Sequence, residues 1–139
     1  MLFGKFFHSI DAKGRLFIPA TLREELGSKF HVTISWESCL TIYSVERWEN
    51  AQEKLKAMSQ TAQMEMRQFF SNASECELDG QGRIQLKQHL REHAGLTKNV
   101  TIVGTGVYVQ IWDSDTYKQI EEREKTSENL KNVIEKYGF

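Results

Sequence analysis

The chain has 139 residues, 40% of them hydrophobic, enough for roughly one compact unit with a core. Lys5, His8 and Asp11 interrupt the apolar N-terminal residues before the core of a signal peptide could form, and no apolar run approaches the length of a membrane span, so neither is expected. The net charge of -1 counts against a nucleic-acid partner, whose usual footprint is a clearly basic domain, and Cys39 and Cys76 lack any framework spacing and read as free thiols of a reducing cytosol.

In chain order, residues 6–10 and 15–18 are two extended apolar runs around the turn Asp11-Ala12-Lys13-Gly14, the form of a hairpin. Pro19 then suits the first position of a short helix over residues 20–26, which Gly27 stops. Strands over 31–36 and 40–43 follow around Glu37-Ser38-Cys39. Residues 45–71 carry Val45, Trp48, Leu55, Met58, Ala62, Met66, Phe69 and Phe70 at spacings that suit a helical face. The same order then recurs: a strand over 75–78, a turn, a strand over 83–86, a short helix to Ala94 before Gly95, and strands over 100–103 and 107–112 around Gly104-Thr105-Gly106. From Asp113 onward, Tyr117, Ile120, Leu130, Val133, Ile134 and Tyr137 again mark a helical face, and Ser44 and Asp113 are suited to cap the helices they precede.

The recurrence is a repeat in the residues themselves. At an offset of 68, Asp11, Gly14, Arg15, Leu22, Arg23, Glu24 and Gly27 return as Asp79, Gly82, Arg83, Leu90, Arg91, Glu92 and Gly95. Val32-Thr33-Ile34 falls on Val100-Thr101-Ile102. A unit of about 40 residues is marginal alone, and two copies are too few for a solenoid, so the copies are expected to share one core as a pseudo-twofold pair. Charge follows the repeat. Residues 1–35 carry five Lys/Arg against three Asp/Glu and residues 76–103 four against three, whereas 36–75 and 104–139 carry four against six and five against seven. The repeat heads are mildly basic and the helical stretches acidic.

Catalytic readings are weak. His89-Leu90-Arg91-Glu92-His93 matches a zinc-protease string, but the first copy has Thr21-Leu22-Arg23-Glu24-Glu25, so the histidines belong to one copy only. The helix is short, and no third ligand follows. Gly104-Thr105-Gly106 lacks the further glycine and helix start of a phosphate loop and is expected to be a tight hairpin. His8 and Asp11 could act as an acid/base pair, but Cys76 replaces His8 in the second copy and no nucleophile accompanies them. The repeated D-x-x-G-R string remains. Asp can hold its own turn, Gly supplies a positive φ, and Arg can pair with the Asp, which makes bracing a sufficient explanation. Lys13 and Gln81 at the turn tips, beside Arg15 and Arg83, are also suitable donors to phosphate oxygens and purine edges.

The tandem D-x-x-G-R motifs, the opening F-G-K-F-x-H-S-I-D-A-K-G-R-L-x-I-P-A, the W-E-x-C-L-x-I-Y segment and the late I-V-G-x-G-x-x-x-x-I-W-D resemble the MraZ family of bacterial transcription regulators over essentially the whole chain. Each half is similar to the SpoVT-AbrB DNA-binding domain. The resemblance implies an α+β, β-rich fold in which two tandem AbrB-like halves form a pseudo-twofold swapped-hairpin β-barrel, each half followed by helices. Its divisions are repeat 1 over 1–48, a helical connector over 49–73, repeat 2 over 74–117 and a C-terminal helical segment over 118–139.

It further implies a cytoplasmic, nucleoid-associated regulator of the division and cell-wall gene cluster, its own promoter included. The partner is double-stranded DNA carrying short direct repeats, bound by a ring-shaped homo-oligomer. No enzyme activity, metal, cofactor, membrane or small-molecule substrate is implied. The motif positions carry over as Asp11 with Arg15 and Asp79 with Arg83. Lys13, Arg15, Gln81 and Arg83 are the expected DNA contacts, Lys13 and Arg15 foremost, and Asp11, Asp79, Gly14 and Gly82 the braces. Gln81 is neutral where the first loop has Lys13. The alternative reading is a non-catalytic interaction or structural barrel in which the Asp-Arg pairs only brace hairpins.

Overall fold

The computed structural model describes residues 1–139. Strands β1 (Leu2–Ser9) and β2 (Arg15–Phe17) lead to helix α1 (Ala20–Leu26), then β3 (Lys29–Ile34) and β4 (Leu40–Ser44), followed by α2 (Val45–Ala57), α3 (Gln60–Glu65) and α4 (Arg67–Ser71). The second copy runs β5 (Ser74–Glu77), β6 (Arg83–Gln85), α5 (Gln88–His93), β7 (Asn99–Gly106), β8 (Val109–Asp113), α6 (Ser114–Glu124) and α7 (Glu128–Tyr137). The fold is α+β and rich in strand, and the order of elements up to the first helix after each β-unit is the same in both copies.

Local chemistry explains the boundaries. Pro19, with φ -54°, precedes α1 and is pre-set for a helix entry, and the N–H of Gly27 closes its far end on the Arg23 carbonyl. The Ser44 hydroxyl accepts the Arg47 N–H at 3.3 Å and the Asp113 carboxylate accepts the Thr116 N–H at 3.4 Å, so both expected caps form.

Six strands make one antiparallel sheet in the order β1-β7-β8-β4-β3-β5, and β2 and β6 pair separately as a two-stranded ribbon. Replacing each strand by its counterpart in the other copy reverses the sheet order, so it reads alike from both edges. Most pairings cross between copies. All eight residues of β1 pair with β7, from Leu2 opposite Gly106 to Ser9 opposite Asn99, while β3 pairs with β5, β4 with β8 and β2 with β6. Only β3–β4 and β7–β8 are pairs within a copy.

Three expectations are corrected. The closed barrel is not formed: β1 and β5 are free edges of an open sheet, because three-residue β2 and β6 satisfy each other and extend no ladder to them. Residues 6–10 and 15–18 do not make a hairpin ladder. The turn closes through the Asp11 N–H on the Arg15 carbonyl at 3.1 Å, but β1 then departs to β7 and β2 to β6. Finally, the tight hairpin of β7 and β8 does form, closed by the Thr105 N–H on the Tyr108 carbonyl at 2.9 Å, but its connection is Val107-Tyr108, and Gly104-Thr105-Gly106 belongs to the end of β7. Gly104 is needed because β1 passes over it: a Cβ there would lie 2.6 Å from the Phe3 Cα.

The core is one cluster of 19 buried apolar side chains, with Leu16, Ile18, Leu22, Phe30 and Ile42 from the first copy packed with Ile84, Leu86, Leu90, Val100 and Ile111 from the second. Neither copy has a core of its own, as the marginal size of each unit requires. Leu16 and Ile84 face each other across the ribbon and are essentially inaccessible, each burial contributing about 1.5–3 kcal/mol. They seat the ribbon on the body.

Candidate nucleic-acid interface

In a strand, successive side chains point to opposite faces, so burying Leu16 and Ile84 turns Arg15, Phe17, Arg83 and Gln85 outward together. Arg15 opposes Gln85 and Phe17 opposes Arg83. The two arginines are therefore offset by two residues, roughly 7 Å along the ribbon. Ribbon and turns are locked by the Ile18 N–H donating to the Gly82 carbonyl and the Leu86 N–H to the Gly14 carbonyl, both at 2.9 Å. Each copy's turn is thus tied to the strand end of the other.

Within each turn the Asp organises the backbone. Asp11 Oδ1 accepts the N–H groups of Lys13 at 3.0 Å and Arg15 at 2.9 Å, while the Gly14 N–H donates to the Asp11 carbonyl at 2.9 Å. Asp79 repeats this with Gln81 and Arg83, both at 2.9 Å, and with Gly82 at 3.0 Å. Gly14 and Gly82 adopt φ of 78° and 76°, a region closed to most side chains. The Arg15 N–H first, then its guanidinium and the Lys13 N–H, hold the Asp11 carboxyl below the usual carboxylate range; the Arg83 N–H does the same for Asp79. Both carboxylates stay ionised.

The guanidinium geometry decides what the arginines can do. Nε of Arg15 donates to Asp11 Oδ2 at 2.7 Å, and Nε of Arg83 to Asp79 Oδ2 at 2.9 Å. Each Asp takes one of the five N–H donors of its arginine, and neither Nη group has a partner within the chain. Bracing and presentation are one arrangement: the Asp fixes the plane of the guanidinium and leaves its outer edge free. Lys13 and Gln81 are exposed at the turn tips, and the Gln85 amide reaches across the ribbon to the Lys13 carbonyl. Every expected contact residue lies on this ribbon or its turns.

Arg23 and Arg91 join them, although the sequence reading assigned them no role. The signal was present in the Leu-Arg-Glu string kept by both copies. Arg23, on α1, lays its guanidinium 5.1 Å from the Phe17 ring centre and over Gly82 of the other copy. Arg91, on α5, sits over Gly14 and donates from Nε to the Leu86 carbonyl at 3.1 Å. With Lys13, Arg15 and Arg83 they make five cations around one ribbon.

The enzyme-like strings disperse. His89 Nε2 lies 3.2 Å from the Asn72 carbonyl and His93 Nε2 3.3 Å from the Glu37 carbonyl, so each is spent joining α5 to a neighbouring segment. Both cysteines are buried and unpaired, and burial pushes the Cys39 thiol up to about 12 and the Cys76 thiol up to about 11. Neither is a thiolate at neutral pH. No helix is long and apolar enough to cross a membrane.

Comparison with known proteins agrees with the doubled site. The family described as "MraZ protein, putative antitoxin-like" matches the chain twice, over residues 1–68 and 69–136. The transcriptional regulator MraZ of Heliobacterium modesticaldum is 46% identical over 139 residues, covering 98% of this chain and 96% of that protein. That of Alkaliphilus metalliredigens is 42% identical with both chains covered in full, and that of Carboxydothermus hydrogenoformans 48% identical over 84% of each. Identity at this level across the whole length, with the family pattern met once in each half, means that the chain belongs to the MraZ family.

Proposed function

We propose that this protein is a sequence-specific DNA-binding transcriptional regulator that reads the major groove of double-stranded DNA with the β2–β6 ribbon. The observation that carries the reading is the pair of arginines held at Nε by their own aspartates, with both Nη groups free on the outer face. A two-stranded ribbon fits a groove about 12 Å wide, and a free guanidinium edge suits a guanine or two phosphate oxygens. An offset of roughly 7 Å places Arg15 and Arg83 about two base-pair steps apart. Lys13 and Gln81 extend the surface at the turn tips. Lys13 adds a charge that Gln81 does not.

The relatives named as transcriptional regulators support this reading, and the family resemblance extends it to the division and cell-wall gene cluster, with the protein's own promoter among its targets. The reversible sheet order supports a pseudo-twofold relation of the two halves, divided at 1–48, 49–73, 74–117 and 118–139, with the ribbon as its swapped element. Short direct repeats would be met by several ribbons of a ring-shaped homo-oligomer acting in the cytoplasm at the nucleoid. No enzymatic step, cofactor or metal is invoked.

Electrophoretic mobility of the protein with its own upstream DNA, against shuffled DNA at two salt concentrations, tests the proposal. Preference for the upstream fragment and a steep loss of affinity with salt are expected. Indifference to both would favour a non-catalytic interaction or structural protein, whose support is the same Asp-Arg bracing.

A further inference from the structure

Arg23 and Arg91 hold equivalent places in the two copies, and each lies against the turn glycine of the other copy. An ideal Cβ on Gly82 would stand 2.9 Å from Arg23 Cζ, and one on Gly14 would stand 3.1 Å from both Cζ and Nε of Arg91. The motif glycines thus serve two purposes. They allow the positive φ, and they leave the volume through which the other copy's arginine passes. The Asp braces fix each turn internally but do not aim it relative to the body. What meets the turns from the rest of the chain is the ribbon pairing and these two guanidinium groups.

The two crossings differ. Arg91 Nε donates to the Leu86 carbonyl at 3.1 Å, and Leu86 in turn donates its N–H to the Gly14 carbonyl at 2.9 Å, so a chain of hydrogen bonds runs from α5 to the first turn. Arg23 is held by its position over Phe17, while its Nε is buried without a partner. The first loop, which carries Lys13, is the more firmly held.

We propose that Arg23 and Arg91 are crossed positioning residues: α5 of the second copy aims the Lys13/Arg15 loop, and α1 of the first copy aims the Gln81/Arg83 loop. The proposal rests on the reading of these loops as DNA contacts. Each DNA-facing arginine is then oriented by the half of the chain to which it does not belong.

Double-mutant cycles on affinity for the upstream DNA test it. Arg91→Ala should couple with Arg15→Ala by a factor between about 2 and 150, the range for residues acting as a unit, and should be nearly additive with Arg83→Ala. Arg23→Ala should show the mirror pattern, coupled to Arg83 and additive with Arg15. In the free protein, hydrogen exchange should quicken over residues 11–15 in Arg91→Ala and over 79–83 in Arg23→Ala. Where an alanine variant fails to fold, the Arg→Gln variant carries the same cycle. Coupling of each helix arginine to its own copy's loop, or equal coupling to both, overturns the inference. If Arg15→Ala binds as well as the wild type, the loop reading itself has failed, which the single variant reveals before any cycle is built.

Discussion

Replacing Arg15 separates reading from bracing. Its guanidinium has five N–H donors, of which Asp11 takes the one on Nε, leaving four on the two Nη groups. Those four are enough for a bidentate contact to the O6 and N7 of one guanine, worth about 1–3 kcal/mol, or roughly 5- to 150-fold in affinity per engaged loop. Arg15→Ala should therefore weaken binding to the upstream DNA by at least that factor. Arg15→Lys should do nearly as badly at low salt, because a lysine keeps the charge but not the planar fork. Neither should unfold the protein, since the Arg15–Asp11 pair is about one-third exposed and such pairs add little to stability. The assay is fluorescence anisotropy with labelled duplex, read beside a thermal melt. If Arg15→Lys binds as well as the wild type, Arg15 meets phosphate rather than a base. If both variants bind normally, or if they melt early with no separate binding defect, Arg15 is a brace and nothing more.

Lys13→Gln should lower the slope of log affinity against log salt by about one per engaged loop and Gln81→Lys should raise it, because only a cation releases counterions; equal slopes in all three proteins would take the turn tips off the DNA. Gly14→Ala should destabilise by at least about 1–2 kcal/mol in chemical denaturation, given φ of 78° and a Cβ 3.0 Å from the Leu86 carbonyl oxygen, whereas Gly80→Ala, in open space at ordinary φ, should be near neutral; matching midpoints would refute the strained-turn account. Asp11 and Asp79 titrate below their ordinary value of 3.8, so the stability they contribute is present above that pH and is lost as pH falls through their lowered values. The gap in melting temperature between wild type and the Asp11→Asn/Asp79→Asn protein should hold at neutral pH and close on acidification below 3.8, and a gap independent of pH would be evidence against carboxylate bracing. If ribbons of a ring engage successive repeats, inserting half a helical turn of DNA between two sites should cost most of the affinity and a whole turn less; indifference to the half turn would rule out multivalent binding.

Much of this was legible in the residues. The repeat disclosed two equivalent loops, Pro19 and Gly27 bounded α1 to the residue, and Ser44 and Asp113 announced their helices. Strand partners were not legible. A D-x-x-G turn between two apolar runs reads as a hairpin because period and turn chemistry are local signals, whereas the choice of β7 over β2 as the partner of β1 is made by burial across the whole molecule. Gly104 misled for a related reason, since close approach of a backbone and a tight turn select the same residue. At the proposed site, Lys13 and Gln81 stand out in the sequence because turn tips are exposed by construction, and Arg15 and Arg83 because they close the repeated motif beside them. Arg23 and Arg91 were passed over because a charged residue on an amphipathic helix is ordinarily solvated, and only three dimensions reveal that each crosses to the other copy's glycine.

The pairing of Leu2 with Gly106 has a consequence for how the protein is made. A ribosome adding about 5–20 residues per second needs roughly 5 to 20 s between placing these two partners. During that interval β1 emerges with its hydrogen-bonding edge bare and Phe3 and Phe7 alongside it, while β2 waits for β6 and β3 is still without β5. A chain whose halves complete each other cannot fold from its N-terminus forward, so it is exposed to misassembly between neighbouring nascent copies on one message. Contacts at such sequence separation also make refolding slow for a protein of this size. Fusing the two halves in one polypeptide sets the effective concentration of the missing half, so that the correct partner arrives on a tether rather than by diffusion.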